Sequence, residues 1–280
     1  MVTGHQGFAV SLQSFLRPIA LVALVVAAAG CDARTTAPPI GSSAPGSAPA
    51  VPPSAAPAGA RTAAGIHYLE RYTGGAMADQ TLPMIVAIHG LGDRPEQFAT
   101  LLSALPVPAR LIVPQGIDPY HGGFSWFPIR VRDLDPERLA GGLKRAASRL
   151  AALLSELGRR HPTKGRPVVT GFSQGGMLSF VLAVEHPQAI AAAIPLAGWL
   201  PPPLWPSAAP RAAPPIMALH GDADRLLEIE PTRAAVGQLR QLGFQVELRE
   251  YPGVGHTVSP AMRRELYRQL AAHVTDQPPR

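Results

Sequence analysis

Val168-Val169-Thr170-Gly171-Phe172-Ser173-Gln174-Gly175-Gly176 passes from a short β-branched stretch through G-x-S-x-G into an apolar segment that ends at His186-Pro187. The valines predict a buried strand stopped by Gly171, and Gly175 to His186 predicts a helix stopped by Pro187. A serine held in the sharp turn between them presents its hydroxyl above the sheet edge. Glycines on either side let neighbouring backbone come close. By itself the pattern also suits a strand-to-helix turn with a capping serine, so its surroundings must decide.

Those surroundings alternate strand and helix. Ile66 to Tyr72 predicts an edge strand. Leu82 to Ile88 is a continuous apolar run ending at His89-Gly90, as expected of a strand buried on both faces. Pro95 to Leu105 predicts a helix, Arg110 to Pro114 a strand, and Gln115 to Asp133 a long loop. Asp135 offers an N-cap with Pro136 at the first helical position, and an alanine- and leucine-rich helix follows to about Arg160. Ala189 to Leu196 reads as a buried strand, with a helix as the alternative its alanines leave open; Ile216 to Leu219 predicts a strand, Pro231 to Leu242 a helix, and Gln245 to Tyr251 a strand. Ser259-Pro260 caps a last helix ending near Val274. Strands separated by helices imply an α/β fold with a mostly parallel central sheet and helices on both faces.

The chain ahead of this region reads differently. Arg17 precedes an apolar stretch, Pro18 to Gly30, too short to span a bilayer but of signal-peptide length. It ends at Cys31, the only cysteine. Residues 1–31 resemble a bacterial lipoprotein signal, which implies lipidation of Cys31 and a membrane anchor on the periplasmic or outer side. An ordinary secretory signal with Cys31 as a spare thiol is the other reading. Residues 32–64 hold prolines among alanine, serine and glycine, without periodicity, and read as a disordered tether. The catalytic domain is expected over 65–280.

Composition narrows the function. Hydrophobic residues make up 46% and charged residues 16%, which excludes a wholly disordered chain. The formal charge of +6 is almost all arginine, since Lys144 and Lys164 are the only lysines. The arginines are scattered rather than set in a stripe, which argues against a nucleic-acid partner. One cysteine excludes an intrachain disulfide and any multi-cysteine metal site.

A serine hydroxyl needs a base, and the base needs a carboxylate to hold its tautomer. Gly255-His256-Thr257 lies between the last strand and last helix, where an imidazole stands above the same sheet edge as Ser173. His220 ends a strand and reads as shaping its loop, and His89 sits at a similar strand end. Asp222 and Asp224 both follow the strand before the histidine loop. The order serine, aspartate, histidine is that of α/β-hydrolases.

Together, His89-Gly90-Leu91-Gly92-Asp93, Gly171 to Gly176, Ala197-Gly198-Trp199-Leu200-Pro201, His220-Gly221-Asp222-Ala223-Asp224 and Gly255-His256 resemble the phospholipase/carboxylesterase family of α/β-hydrolases over roughly residues 80 to 275. The resemblance implies Ser173 as nucleophile, His256 as base and Asp224, not Asp222, as the acid. It also implies the backbone N–H groups of Leu91 and Gln174 as oxyanion donors. Gly122 to Phe127 resembles the family's glycine-and-tryptophan segment near the acyl pocket. Trp126, Phe127, Trp199 and Leu200 are therefore candidate pocket walls; packing of loops onto the core is the alternative for the tryptophans. The reaction needs no cofactor and no metal. The expected activity is hydrolysis of small carboxylic esters or thioesters. A cell-envelope esterase acting on polysaccharide acetyl or feruloyl groups, a non-catalytic binding lipoprotein and an acyltransferase are the rival readings.

Overall fold

The computed structural model describes residues 61–128 and 135–275. The expected signal over 1–31, Cys31 and the tether up to residue 60 lie outside the described residues. In chain order the strands are β1 (Arg61–Ala63), β2 (Ile66–Thr73), β3 (Met84–Ile88), β4 (Ala109–Pro114), β5 (Asp118–Tyr120), β6 (Gly123–Ser125), β7 (Val168–Phe172), β8 (Ala192–Leu196), β9 (Ile216–Gly221) and β10 (Val246–Tyr251). The helices are α1 (Pro95–Ala99), α2 (Pro136–Arg160), α3 (Gln174–Glu185), α4 (Ile229–Gln241) and α5 (Pro260–Thr275).

The apolar run of β3 sets the layering. Successive side chains of a strand leave opposite faces of the sheet. Met84, Val86 and Ile88 enter a core built with α2, α3 and α4, whereas Ile85 and Ala87 enter a second core with α1 and α5. Neither face can carry polar residues, so the strand reads as unbroken hydrophobicity. Burying each such aliphatic side chain contributes about 1.5–3 kcal/mol.

Eight of the described strands form one sheet in the order β1-β2-β4-β3-β7-β8-β9-β10. β4, β3, β7, β8, β9 and β10 are mutually parallel neighbours, and β2 runs antiparallel to both β1 and β4. This is the mostly parallel sheet with helices on both faces that the sequence predicts. Parallel strands all end at one edge, and that edge receives the loops after β3, β7, β9 and β10.

α2 follows its sequence closely. The Asp135 carboxylate accepts the Glu137 N–H at 3.1 Å, with Pro136 opening the helix. Leu143, Ala146, Leu150, Leu153, Leu154 and Leu157 form its buried stripe at helical spacing. Ser259 accepts the Met262 N–H at 3.2 Å, capping α5 as expected.

Three features differ from the sequence reading. Arg61–Ala63, assigned to the tether, is a strand paired with β2, with Ala64 and Gly65 at φ 48° and 70° making the hairpin turn. β2 is therefore flanked on both sides and is not the edge. The helix after Pro95 runs only to Ala99 and tightens into a 3₁₀ turn over Thr100–Leu102. There the Thr100 hydroxyl donates to the Gln97 carbonyl and the Ser103 hydroxyl to that of Thr100, side-chain bonds that compete with helical pairing. The loop after β4 contains the β5–β6 hairpin. Its turn residues His121 and Gly122 have φ 42° and 83°, as a two-residue type I′ turn requires. Among the described residues, no helix is long and apolar enough to cross a membrane.

Candidate active site

Ser173 sits between β7 and α3 at φ 56° and ψ −113°. A non-glycine residue there carries strain of about 1–3 kcal/mol, which persists only when neighbours enforce it. The enforcing contacts are backbone: the Ser173 N–H donates to Leu196 O at 3.0 Å, and the Met177 N–H donates to Ser173 O at 3.0 Å as α3 begins. The flanking glycines are obligatory. A Cβ on Gly175 would lie 1.9 Å from the Ile88 carbonyl oxygen, and one on Gly171 2.4 Å from the Gly175 oxygen. G-x-S-x-G is thus a statement about β3, β7 and α3 meeting without side chains between them.

Two strands away from β7, β9 ends at Gly221 and turns tightly. Asp224, with a fully buried side chain, accepts the N–H groups of Leu226 and Leu227 on Oδ1, both at 2.9 Å. Its Oδ2 accepts from His256 Nδ1 at 2.7 Å and faces His220 Nε2 at 3.4 Å. Burial pushes this carboxyl upward, but donors from His220, from His256 and from the Leu227 backbone outweigh it, and the group is held well below the ordinary carboxylate range. Because Asp224 accepts at Nδ1, the neutral His256 ring leaves Nε2 as its basic nitrogen.

Asp222 is exposed and accepts the Gly253 N–H at 2.7 Å, tying the loops after β9 and β10 together. The structure separates the two aspartates cleanly: Asp224 holds the histidine, and Asp222 holds the loop. His220 is buried, with Nε2 donating to Leu227 O at 2.8 Å and Nδ1 3.0 Å from the Thr232 hydroxyl, so it does shape the Asp224 loop.

His256 packs against the residue before the serine. The Phe172 ring lies 4.7 Å from the His256 ring, centroid to centroid, at 42°. On the other side, a Cβ on Gly90 would sit 3.4 Å from the Ser173 Cβ, which puts the turn after β3 directly against the serine. Leu91 belongs to that turn, where the Asp93 N–H reaches Gly90 O at 3.4 Å and Gly92 has φ 78°. Gln174 opens α3, whose first N–H groups have no acceptor within the helix. Of the two expected oxyanion donors, Gln174 directly follows Ser173, and Leu91 directly follows Gly90, the residue that meets the serine.

The expected pocket walls are a correction. Trp126 (1% exposed), Phe127 (3%) and Leu200 (0%) are interior, and Trp199 is half-buried against the same core. Trp126 is instead a tie: its indole N–H donates to His89 O at 3.0 Å, and its backbone N–H donates to the Gln174 side-chain oxygen at 3.1 Å. Phe127 fills the space above Gly142, whose added Cβ would meet it at 3.1 Å.

The open space lies on the other side of His256. A groove of about 350 Å³ is lined by Phe98, Leu101, Phe172, His256 and Val258, with Asp93, Gln97, Thr100, Thr257 and Arg263 as polar members. Burial raises the Asp93 carboxyl, partly offset by the hydrogen bond from the Arg94 N–H. Sequence reading missed Gln97, Phe98, Thr100 and Leu101 because nothing in the α1 segment and the turn after it marks them as facing the loop after β10. Among the described residues, no group of three or more His, Cys, Asp or Glu side chains is placed to hold a metal ion.

The profile of the family described as Phospholipase/Carboxylesterase matches residues 76–274. A probable carboxylesterase of Oryza sativa subsp. japonica is 28% identical over 210 residues, covering 69% of this chain and 77% of that protein. Acyl-protein thioesterase 1 of Gibberella zeae is 24% identical over 205 residues, covering 65% of this chain and 87% of that protein. The crystal structure of Zea mays acyl-protein thioesterase 2 superposes with a TM-score of 0.59 at 26% identity, covering 74% of this chain and 98% of that one.

Proposed function

Because this chain belongs to the phospholipase/carboxylesterase family and is a serine ester hydrolase of α/β-hydrolase fold, we propose that its chemistry runs through Ser173, His256 and Asp224. The observation that carries the assignment is the 2.7 Å hydrogen bond from His256 Nδ1 to the buried Asp224 carboxylate, at the sheet edge where Ser173 occupies its strained turn.

The steps follow from the arrangement. His256 Nε2 takes the Ser173 proton as Oγ attacks the acyl carbonyl, and Asp224 stabilises the imidazolium that forms. Negative charge gathers on the carbonyl oxygen, which the Leu91 and Gln174 N–H groups receive. Collapse breaks the bond to the alcohol or thiol, which leaves with the proton from His256. A water molecule, deprotonated by the same imidazole, then attacks the acyl-enzyme; the acid departs and Ser173 regains its proton. Two transfers of one proton balance each half-reaction.

The substrate class is a small carboxylic ester or thioester. The groove beside His256 supports a partly apolar substrate, since Phe98, Leu101, Phe172 and Val258 share its walls with polar residues, Asp93 and Arg263 among them. For location, the Cys31 signal and the proline-rich segment after it support a lipid-anchored enzyme of the bacterial cell envelope, the segment acting as tether.

A fluorophosphonate probe tests the core of this reading. It should label the wild-type protein, and Ser173→Ala should abolish both labelling and hydrolysis across a panel of aryl, short acyl, thio- and sugar esters. Labelling that survives Ser173→Ala overturns the assignment, and turnover confined to sugar esters moves the substrate to a polysaccharide. Intact mass of protein extracted from membranes tests Cys31, with an added diacylglyceryl mass expected.

A further inference from the structure

His89 is fully buried at the end of β3, and no step of the proposed reaction uses it. Its ring is nevertheless fixed at both nitrogens. The Gly116 N–H lies 2.9 Å from Nε2, and a backbone N–H can only donate, so Nε2 is the unprotonated nitrogen. Nδ1 lies 2.6 Å from the Gly90 carbonyl oxygen, which can only accept, so Nδ1 carries the proton. The ring is thus a neutral imidazole of assigned tautomer. Burial lowers its pKa to about 4, so that state holds across neutral pH.

A trans peptide points its C=O and the following N–H in opposite directions. The Gly90 carbonyl is held against the imidazole, and the N–H on the far side of that peptide belongs to Leu91. We propose that His89 is a positioning residue: by donating Nδ1–H to the Gly90 carbonyl, it locks the Gly90–Leu91 peptide with the Leu91 N–H turned toward the oxyanion formed on Ser173. This rests on the reading of Leu91 as an oxyanion donor. Three further ties hold the same unit. Trp126 donates its indole N–H to His89 O at 3.0 Å, its ring packs 5.2 Å from the imidazole, and the Gly92 N–H donates to Phe124 O at 2.9 Å. Without the imidazole, the peptide retains the long Asp93 N–H contact to Gly90 O at 3.4 Å, a weak restraint on rotation.

Two variants separate positioning from packing. Asparagine presents an N–H donor near the place of Nδ1 and leaves Gly116 unpaired. Glutamine presents an acceptor near Nε2 and leaves the Gly90 carbonyl only the long Asp93 N–H contact. Each loses one hydrogen bond, and asparagine, shorter by a methylene, also leaves a larger void, so His89→Asn should lower Tm at least as much as His89→Gln. Their kcat should diverge: His89→Gln falls about 100-fold with KM nearly unchanged, the effect of losing one oxyanion donor, while His89→Asn stays within about tenfold of wild type. Affinity for an aryl trifluoromethyl ketone, which forms a tetrahedral oxyanion on the serine, should fall in parallel with kcat. Equal kcat losses in the two variants, or losses that follow Tm, overturn the proposal. Nitrogen-15 NMR of the wild-type imidazole gives a test independent of any variant: a proton on Nδ1 between pH 6 and 8 is expected, and one on Nε2 refutes the mechanism. Fluorophosphonate labelling of wild type on Ser173 is the control. If that fails, the function assignment has failed; if it succeeds and the variants do not diverge, only the role of His89 has.

Discussion

Asp224→Asn exchanges one carboxylate oxygen for an NH₂ group and leaves the shape unchanged. The surroundings dictate which way the amide lies. Oδ1 accepts two backbone N–H groups, from Leu226 and Leu227, so turning the NH₂ toward them would leave buried donors facing a donor. Each such unsatisfied group costs about 1–3 kcal/mol. The NH₂ therefore takes the place of Oδ2, 2.7 Å from His256 Nδ1. A donor there is satisfied only by a lone pair on Nδ1, which moves the imidazole proton to Nε2, the nitrogen that must accept from Ser173. The imidazolium also loses its counter-charge. A triad with the wrong tautomer loses roughly 10³ to 10⁴ in kcat, about 4–5 kcal/mol of barrier. KM should change little, because the oxyanion donors and the groove are untouched. Initial rates on p-nitrophenyl acetate measure the effect, with Asp222→Asn as control. Asp222 is exposed and holds only the Gly253 N–H, so its variant should stay within a few fold of wild type. Retention of more than about a tenth of kcat by Asp224→Asn, or an equal loss in Asp222→Asn, would refute the reasoning.

Gly175→Ala should abolish activity and lower or abolish the yield of folded protein, since the new methyl would lie 1.9 Å from the Ile88 oxygen; a folded, active variant seen by activity and circular dichroism would contradict this close approach. Trp126→Phe removes the donor to His89 O and should destabilise the fold by about 1–3 kcal/mol in urea melts, with a several-fold loss of kcat. His89 makes stability depend on pH in a defined direction. Its unfolded form takes up a proton below about 6.5, while the folded form resists until about 4, so the contribution is complete above pH 6.5 and is lost as pH falls toward 4. At pH 4.5 the loss amounts to roughly 2 to 3 kcal/mol. Urea melts of wild type and His89→Asn at pH 7 and 4.5 should show the gap between them narrowing at the lower pH, and a constant gap would count against the shift.

The fold was readable where the pattern was local. β3 announces burial on both faces because no polar residue interrupts Met84–Ile88, and α2 announces its start through Asp135-Pro136. β1 and the β5–β6 hairpin were hidden for opposite reasons. Arg61–Ala63 is three residues long, too short to show a period after the proline-rich segment, and only pairing with β2 makes it a strand. The hairpin has three-residue strands and a His121-Gly122 turn in place of the usual Asn-Gly, so neither periodicity nor turn chemistry marks it.

The site divides along the same line. Ser173, Asp224 and His256 could be read because each is fixed by its own strand end, and parallel strands deliver their ends to one edge. Trp126 could not, because its role depends on what a distant hairpin folds against. An aromatic near a glycine pair reads equally as a pocket wall or as a buried strut until its two N–H groups are seen to reach His89 and Gln174. Those two residues bear on the two proposed oxyanion donors, His89 lying two residues ahead of Leu91 and Gln174 being the other. One residue thus fastens the turn after β3, through its indole, to the Gln174 side chain at the start of α3, through its backbone N–H, and the hairpin joins G-x-S-x-G in setting the separation of the proposed donors. A chain with the same motif and no such strut would keep a strained serine and lose the geometry that makes the strain useful. The serine motif therefore specifies where chemistry can occur, and the buried strut specifies how well the developing charge is met.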